Sequence, residues 1–111
     1  MISTHVLDLS AGKPAAGIAV SLEVQAAGGE WMRVASGDTD ADGRIKELVP
    51  DASLGGRSYR LVFEVADYFN ERGVAAFYPV VIVVFDVADP RQRYHVPLLL
   101  SPFGYSTYRG S

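Results

Sequence analysis

The strongest constraint on the fold of this chain is a two-residue alternation of apolar and polar side chains. Apolar residues occupy every second position in residues 18–24 and again in residues 59–65. This is the period of a β-strand with one buried face. The pair Gly28-Gly29 separates the first run from a short run at Trp31–Ala35, which favours a hairpin. We therefore expect antiparallel strands in this half of the chain.

A different pattern occurs at Val80–Phe85, where six consecutive residues are apolar. Such a run predicts a strand in the middle of a sheet, covered on both faces. Strand-like segments follow at residues 93–99 and 105–108, and Pro97 indicates an edge or a bulge in the former.

Only one segment has the signals of a helix. Asp67 is the predicted N-cap, Tyr68–Arg72 form little more than one turn, and Gly73 ends it. About eight short strands with one short helix predict an all-β sandwich. At 111 residues, we expect a single domain over residues 1–111.

Composition excludes several classes of function. The formal net charge is −3 without a basic run, so nucleic acid is not an expected partner. The absence of cysteine removes disulfides, thiolate nucleophiles and Cys-based zinc sites. No apolar run reaches membrane-spanning length and no basic-then-apolar leader precedes Ile2, so we expect a soluble, cytoplasmic protein without membrane contact. A hydrophobic content of 49% indicates surplus apolar surface and thus oligomerisation.

The segment Asp38–Gly43 matches the first half of a calcium-binding loop, with carboxylates at alternate positions and glycine at the sixth. The twelfth position, which should supply a bidentate glutamate, is Val49, and no long helix flanks the segment. We interpret it as a turn between strands.

The candidate catalytic and ligand-binding residues are two histidines, one arginine and the last four residues of the sequence. His5 and His95 lie in strand-like segments, and each alone is more often structural than functional. Two histidines make a weak zinc signal, because a catalytic zinc usually has three protein ligands. Arg44 follows the Asp42-Gly43 turn, and Tyr108-Arg109-Gly110-Ser111 concentrates a phenol, a guanidinium and a hydroxyl in four residues. Taken alone, Arg44 would be a solvated strand residue and the terminal segment a frayed tail.

Together these segments resemble the 5-hydroxyisourate hydrolases, which are homologues of transthyretin. The resemblance covers nearly the whole chain and depends on four motifs in order: Ser3-Thr4-His5-Val6-Leu7-Asp8, Asp42-Gly43-Arg44, residues 94–102 (YHVPLLLSP) and residues 104–111 (GYSTYRGS). The terminal Tyr-Arg-Gly-Ser typifies the hydrolases, whereas transthyretin itself lacks this ending and both histidines. One departure is Val80, where the family often carries an acidic residue after Phe77-Tyr78-Pro79.

The resemblance implies a prealbumin-like sandwich of two four-stranded sheets that assembles into a homotetramer with active sites between subunits. It also implies hydrolysis of 5-hydroxyisourate in urate breakdown, without metal or cofactor. The catalytic residues would be His5, Arg44 and His95, and the substrate-binding residues Tyr108, Arg109, Gly110 and Ser111.

The expected mechanism is direct attack of water on a ring amide, since the chain has no cysteine and no recognisable serine nucleophile. A neutral imidazole is a suitable base near pH 7. The favoured assignment has His5 as the base, His95 as its partner and Arg44 on the oxyanion, and the sequence leaves the division between the histidines open. The Arg109 fork and the Ser111 hydroxyl would meet the carbonyl and N–H edges of the substrate.

The sequence is also compatible with two other functions. One is a transthyretin-like binding protein that holds a small aromatic ligand without turnover. The other is a β-sandwich adhesion module with calcium in the Asp38–Asp42 loop, for which a calcium-dependent rise in melting temperature would be diagnostic.

Overall fold

A computed structural model describes residues 1–49 and 57–111. Over these residues the chain forms short strands and one helix, as the alternation predicts. The strands are β1 (Ile2–Asp8), β2 (Lys13–Pro14), β3 (Ala19–Gln25), β4 (Trp31–Asp38), β5 (Arg44–Val49), β6 (Ser58–Glu64), β7 (Val81–Asp86), β8 (Tyr94–Ser101) and β9 (Gly104–Thr107), and the helix is α1 (Val65–Glu71). The predicted all-β sandwich with one short helix is confirmed.

The strands form two sheets. In the sheet that we call the β1 sheet, β8 lies between β1 and β9, while β5 and β2 pair with successive parts of the other edge of β1. This sheet is therefore four strands wide, and β2 is a two-residue addition to the expected set. The other sheet, here the β3 sheet, has the order β4-β3-β6-β7 and is antiparallel throughout.

The core lies between the two sheets and is built from every second residue of each strand. Ile2 and Val6 of β1 are fully buried, as are Leu61 and Phe63 of β6 and Leu98 of β8. Because successive strand residues point to opposite faces, the intervening residues of β1 and β8 lie on the outer face of the β1 sheet. Among the described residues, no helix is long and apolar enough to cross a membrane.

The segment around Val80–Phe85 lies differently from the prediction. It forms β7, which is the edge strand of the β3 sheet and pairs only with β6 in the described chain. Val81 is fully buried, but Ile82 and Val84 are 43% and 58% exposed. The expectation of a central strand covered on both faces is wrong for the single chain, because an apolar run does not report which strands lie beside it.

The helix begins two residues before the predicted N-cap. Glu64 is the N-cap and makes no side-chain capping bond, while Asp67 lies in the first turn. Burial of Val65, Tyr68 and Phe69 on one helical face determines where the helix begins. Gly73 ends the helix as predicted, with a φ of 67°.

Pro97 lies in β8, between β1 and β9, and neither ladder of β8 shifts register there, so the expected edge or bulge is wrong. The physical reason is local. The β8–β9 ladder ends at the pair Leu98–Thr107, and the position opposite Pro97 is Tyr108, outside β9. The missing N–H of proline thus falls where the backbone ladder is interrupted, so no ladder hydrogen bond is lost. The Pro97 carbonyl accepts a hydrogen bond from the Thr107 hydroxyl (2.6 Å).

Helix α1 is tied to β1 through a buried carboxylate. Asp8 is only 3% exposed and accepts hydrogen bonds from the Tyr68 and Ser10 hydroxyls (2.7 Å each) and from the Ala11 N–H (3.1 Å). Burial opposes ionisation of Asp8, but these donors together hold its pKa below the usual value. Burial and the bond to Asp8 raise the pKa of Tyr68 to about 12, so the phenol remains a donor at neutral pH.

We predict that Tyr68→Phe destabilises the fold by about 1.5 to 3 kcal/mol at pH 7, the value of a hydrogen bond to a charged group. The pKa of Asp8 is lower in the folded protein than in the unfolded chain, where it is about 3.9. Ionised Asp8 therefore stabilises the fold above that pH, and this stabilisation is lost as the pH falls through the pKa of the folded state. The deficit of the variant should therefore shrink at low pH. Urea unfolding at pH 7 and at about pH 3 measures it, with Tyr105→Phe as an exposed control. An equal deficit at both pH values would contradict the assignment.

Candidate active site

Most of the site residues predicted from the sequence lie on the outer face of the β1 sheet. In the parallel β1–β8 ladder Ser3 is opposite His95, and in the antiparallel β1–β5 ladder His5 is opposite Arg44. Ser3 and His95, which are 92 positions apart in the sequence, thus become neighbours on one surface. His5, Arg44 and His95 are brought together as predicted.

A tight turn positions Arg44. The Asp40 carboxylate accepts the backbone N–H groups of Asp42 and Arg44 (2.9 Å each), and its pKa is lowered, chiefly by the Arg44 N–H. Gly43 has a φ of 74°, and a Cβ on it would lie 2.5 Å from the Val6 carbonyl oxygen. Only glycine fits this turn, which explains the Asp42-Gly43-Arg44 motif.

The same turn accounts for the calcium-like spacing. One oxygen of Asp40 is occupied by two backbone donors, as in an Asx turn. Within residues 1–49 and 57–111, no three His, Cys, Asp or Glu side chains group in a way that could hold a metal ion.

His95 is held in a defined orientation on β8. Its Nδ1 atom forms a hydrogen bond with Ser3 Oγ (2.8 Å), which leaves Nε2 as the nitrogen available to a ligand. Partial burial lowers the pKa of His95, and electrostatic repulsion from the neighbouring Arg44 and His5 side chains lowers it further. The imidazole is therefore neutral at pH 7 and able to accept a proton.

The end of the chain returns to His95. The Gly110 N–H donates to the His95 carbonyl (2.7 Å), and a Cβ on Gly110 would lie 2.5 Å from His95 Cδ2. The glycine therefore lets the tail pack against the imidazole ring. It also brings Ser111 to the same place, because both residues line one cavity with His95.

The other two tail residues point elsewhere in the single chain. The Arg109 guanidinium lies over the Tyr94 ring, 4.6 Å from its centroid, and donates to Gln92 and to the Arg93 carbonyl. The Tyr108 side chain is 57% exposed. Their expected contacts with substrate stay predictions, and within one subunit Gly110 and Ser111 are the tail residues at the cavity.

The cavity has a volume of about 290 Å³, enough for a small heterocycle, and polar and apolar atoms share its lining. Ser3, Arg44, Lys46, Arg93 and His95 contribute to the wall from three adjacent strands or their ends. His5 lies beside Arg44 and is not part of the wall.

Three of these wall residues were missed from the sequence. Ser3 and Lys46 each lie two positions from a selected residue, His5 and Arg44, and Arg93 lies two positions before His95. The two-residue strand period could have found them, since it places such neighbours on one face.

The fold and this surface define a class of protein, a β-sandwich of the transthyretin type with a histidine- and arginine-containing cavity on the outer face of one sheet. The chain belongs to the HIUase/Transthyretin family, whose model matches residues 2–110. It is 44% identical over 111 residues to the 5-hydroxyisourate hydrolase of Salmonella dublin, covering 100% of this chain and 81% of that protein.

Similar solved structures include a transthyretin and a 5-hydroxyisourate hydrolase. Sea bream transthyretin in complex with thyroxine has a TM-score of 0.93 and 34% identity, covering 98% of this chain and 93% of that chain. The 5-hydroxyisourate hydrolase of Klebsiella pneumoniae has a TM-score of 0.83 and 35% identity, covering 99% and 98%. A thyroxine-bound transthyretin and a 5-hydroxyisourate hydrolase therefore share this fold, so the fold alone does not distinguish ligand binding from hydrolysis.

We predict that Gly43→Ala destabilises the protein by about 2 kcal/mol or more and displaces Arg44, because it combines left-handed strain with a clash against Val6. Gly12→Ala is the matched control, since Gly12 has a similar φ of 68° and nothing within 4 Å of an added Cβ. Thermal unfolding of both variants measures the difference. An equal loss of stability in both variants would show that the close contact between Gly43 and Val6 does not add to the destabilisation.

Proposed function

We propose that this chain hydrolyses 5-hydroxyisourate to 2-oxo-4-hydroxy-4-carboxy-5-ureidoimidazoline, a step of urate breakdown. The supporting relatives are named 5-hydroxyisourate hydrolases and align over the whole chain. The observation that carries the proposal is the meeting of Arg44, His95 and the Gly110-Ser111 tail at one cavity, with His5 paired to Arg44. Both histidines and the Tyr-Arg-Gly-Ser ending, which typify the hydrolases in the family resemblance, favour hydrolysis over ligand transport.

In the proposed reaction, water attacks the C6 carbonyl carbon of the substrate, the C6–N1 bond breaks, and N1 gains a proton. A neutral imidazole takes the proton of the attacking water, and the guanidinium of Arg44 stabilises the charge that develops on the carbonyl oxygen. Each role matches a group that the cavity presents, and the chemistry needs no covalent enzyme intermediate.

The division of labour between the histidines remains a prediction. The sequence favoured His5 as base, whereas His95 is the histidine that lines the cavity and is fixed by Ser3. In this arrangement His95 meets the water or the leaving nitrogen directly. His5 acts from the neighbouring position on β1, beside Arg44.

We predict that the protein accelerates the loss of ultraviolet absorbance of 5-hydroxyisourate generated freshly by urate oxidase. His95→Asn and Arg44→Ala should each lower the rate about 10²- to 10⁴-fold, the usual effect of removing a positioned acid, base or oxyanion donor. His5→Asn belongs to the same series and tests whether the two histidines contribute equally. Leu9→Ala, which changes an exposed residue outside the cavity, is the control.

The absence of acceleration by the folded wild-type protein would contradict the proposal. It would favour the alternative of a ligand carrier, which the similarity to a thyroxine-bound transthyretin makes the second candidate. A variant with near-normal turnover would instead remove only that residue from the mechanism.

We further propose that the protein works as a homotetramer with active sites between subunits. Exposed apolar residues support assembly, among them Phe77 and Phe103 at 69% and 70% exposure. The Phe77 N–H donates to the Pro102 carbonyl, and the Tyr78 and Tyr105 rings are in contact at 5.2 Å, so the edges of both sheets lie side by side. A second copy could pair with β7 and β9 together. The cytoplasmic location expected from the sequence stays a prediction.

We predict that Phe103→Asp weakens assembly, because it places a charge in a largely exposed apolar position without removing a buried contact. Analytical ultracentrifugation should show smaller species, and specific activity should fall on dilution if the sites are shared. Arg33→Asp on β4 of the other sheet is the control. Full activity in a demonstrated monomer would contradict the interfacial site.

A further inference from the structure

The cavity concentrates positive charge in a chain that is negative overall. The formal net charge is −3, yet Arg44, Lys46 and Arg93 all line the cavity, and no Asp or Glu among the described residues does. The imidazole of His95 adds a polar, neutral wall between them. Ser111, the last residue described, lines the same cavity, and its main-chain carboxylate reduces but does not cancel this excess of positive charge. A concave surface with such an excess attracts an anion.

The strand pattern explains why these cations share one surface. Lys46 lies two residues after Arg44 in β5, and Arg93 lies two residues before His95 of β8, so both belong to the outer face of the β1 sheet. They approach the cavity from strands on opposite sides of β1. A ligand that lies over Ser3 would therefore have a cation on each side.

These side chains form no close ion pair within the described chain, although the charges of Lys46 and Arg44 contribute to the lowered pKa of Asp40. Arg60, Arg72 and Arg91 form ion pairs with Glu23, Glu71 and Asp89. No ion pair joins Arg44, Lys46 or Arg93 to a carboxylate in residues 1–49 and 57–111. Three unpaired cations around one cavity repel each other, and a bound anion would relieve that repulsion.

The proposed reaction creates such an anion. When the ring amide is cleaved, the water oxygen remains on C6, N1 keeps the proton it received, and the new carboxylic acid ionises to a carboxylate at neutral pH. The product thus carries a negative charge at the atom where the oxyanion developed.

We propose that Lys46 and Arg93 make this cavity selective for carboxylate-bearing heterocycles, and that they hold the carboxylate formed by ring opening. This inference rests on the proposed function in taking the cavity as the reaction site. Arg44 serves the reacting oxygen, whereas Lys46 and Arg93 determine which ligands the cavity prefers.

The test compares two flat pyrimidines that differ by one carboxylate, orotate, which is anionic at pH 7, and uracil, which is neutral. Isothermal titration with the whole protein should show orotate binding at least about tenfold more tightly. Lys46→Gln and Arg93→Gln should each lower this ratio about two- to fivefold, the usual size of a solvent-exposed charge pair. The double variant should bind both compounds nearly equally. The wild-type ratio should fall as salt is raised from about 0.05 M to 0.5 M.

Arg33→Gln, which removes an equal charge from the other sheet, is the matched control and should leave the ratio unchanged. Equal binding of orotate and uracil, absence of binding by both, or an equal loss in the control would each overturn the inference. The assay needs no turnover. Hydrolysis without anion selectivity would therefore defeat this inference alone, and selectivity without hydrolysis would defeat the proposed function alone.

Discussion

The parallel pairing of β1 with β8 is the interaction on which the rest of the molecule depends. It joins the two strands at the centre of the β1 sheet over seven residue pairs, from Ile2–Tyr94 to Asp8–Leu100. On the inner face this pairing aligns buried residues such as Val6 and Leu98 in the core. On the outer face it sets Ser3 beside His95. One register therefore fixes both the packing and the chemistry, and a slip by one residue would exchange the two faces.

Two glycines complete the site around this pair of strands. Gly43 permits the turn that delivers Arg44 to the strand beside His5, and Gly110 permits the tail to lie against the His95 ring. In both cases a side chain would occupy space that backbone or imidazole atoms already fill. The two glycines thus let the backbone of the turn lie against β1 and the backbone of the tail lie against the His95 ring. These close contacts hold Arg44 and Ser111 at the cavity.

Much of this arrangement could be predicted from the sequence, because the strand period and four ordered motifs are local. The alternation found β3 and β6, and the motifs found His5, Arg44 and His95. What failed was non-local. The apolar run of β7 could not reveal its edge position, and Pro97 could not reveal that the β8–β9 ladder breaks beside it. The direction of Arg109, stacked on Tyr94, depends on the path of the tail beside β8, which no local pattern encodes.

The long separation of β1 and β8 also has a kinetic consequence. His95 meets Ser3 across 92 positions of sequence, and chains dominated by such distant contacts fold slowly, because the entropy of closing a long loop is lost before the contacts form. During synthesis β1 must wait until the ribosome has released residues 94–101. Until then the edge of β1 that pairs with β8 stays open, although β2 and β5 can already pair with its other edge. Because an unpaired strand edge accepts non-native partners, the late arrival of β8 lengthens the period in which the nascent chain can misassociate.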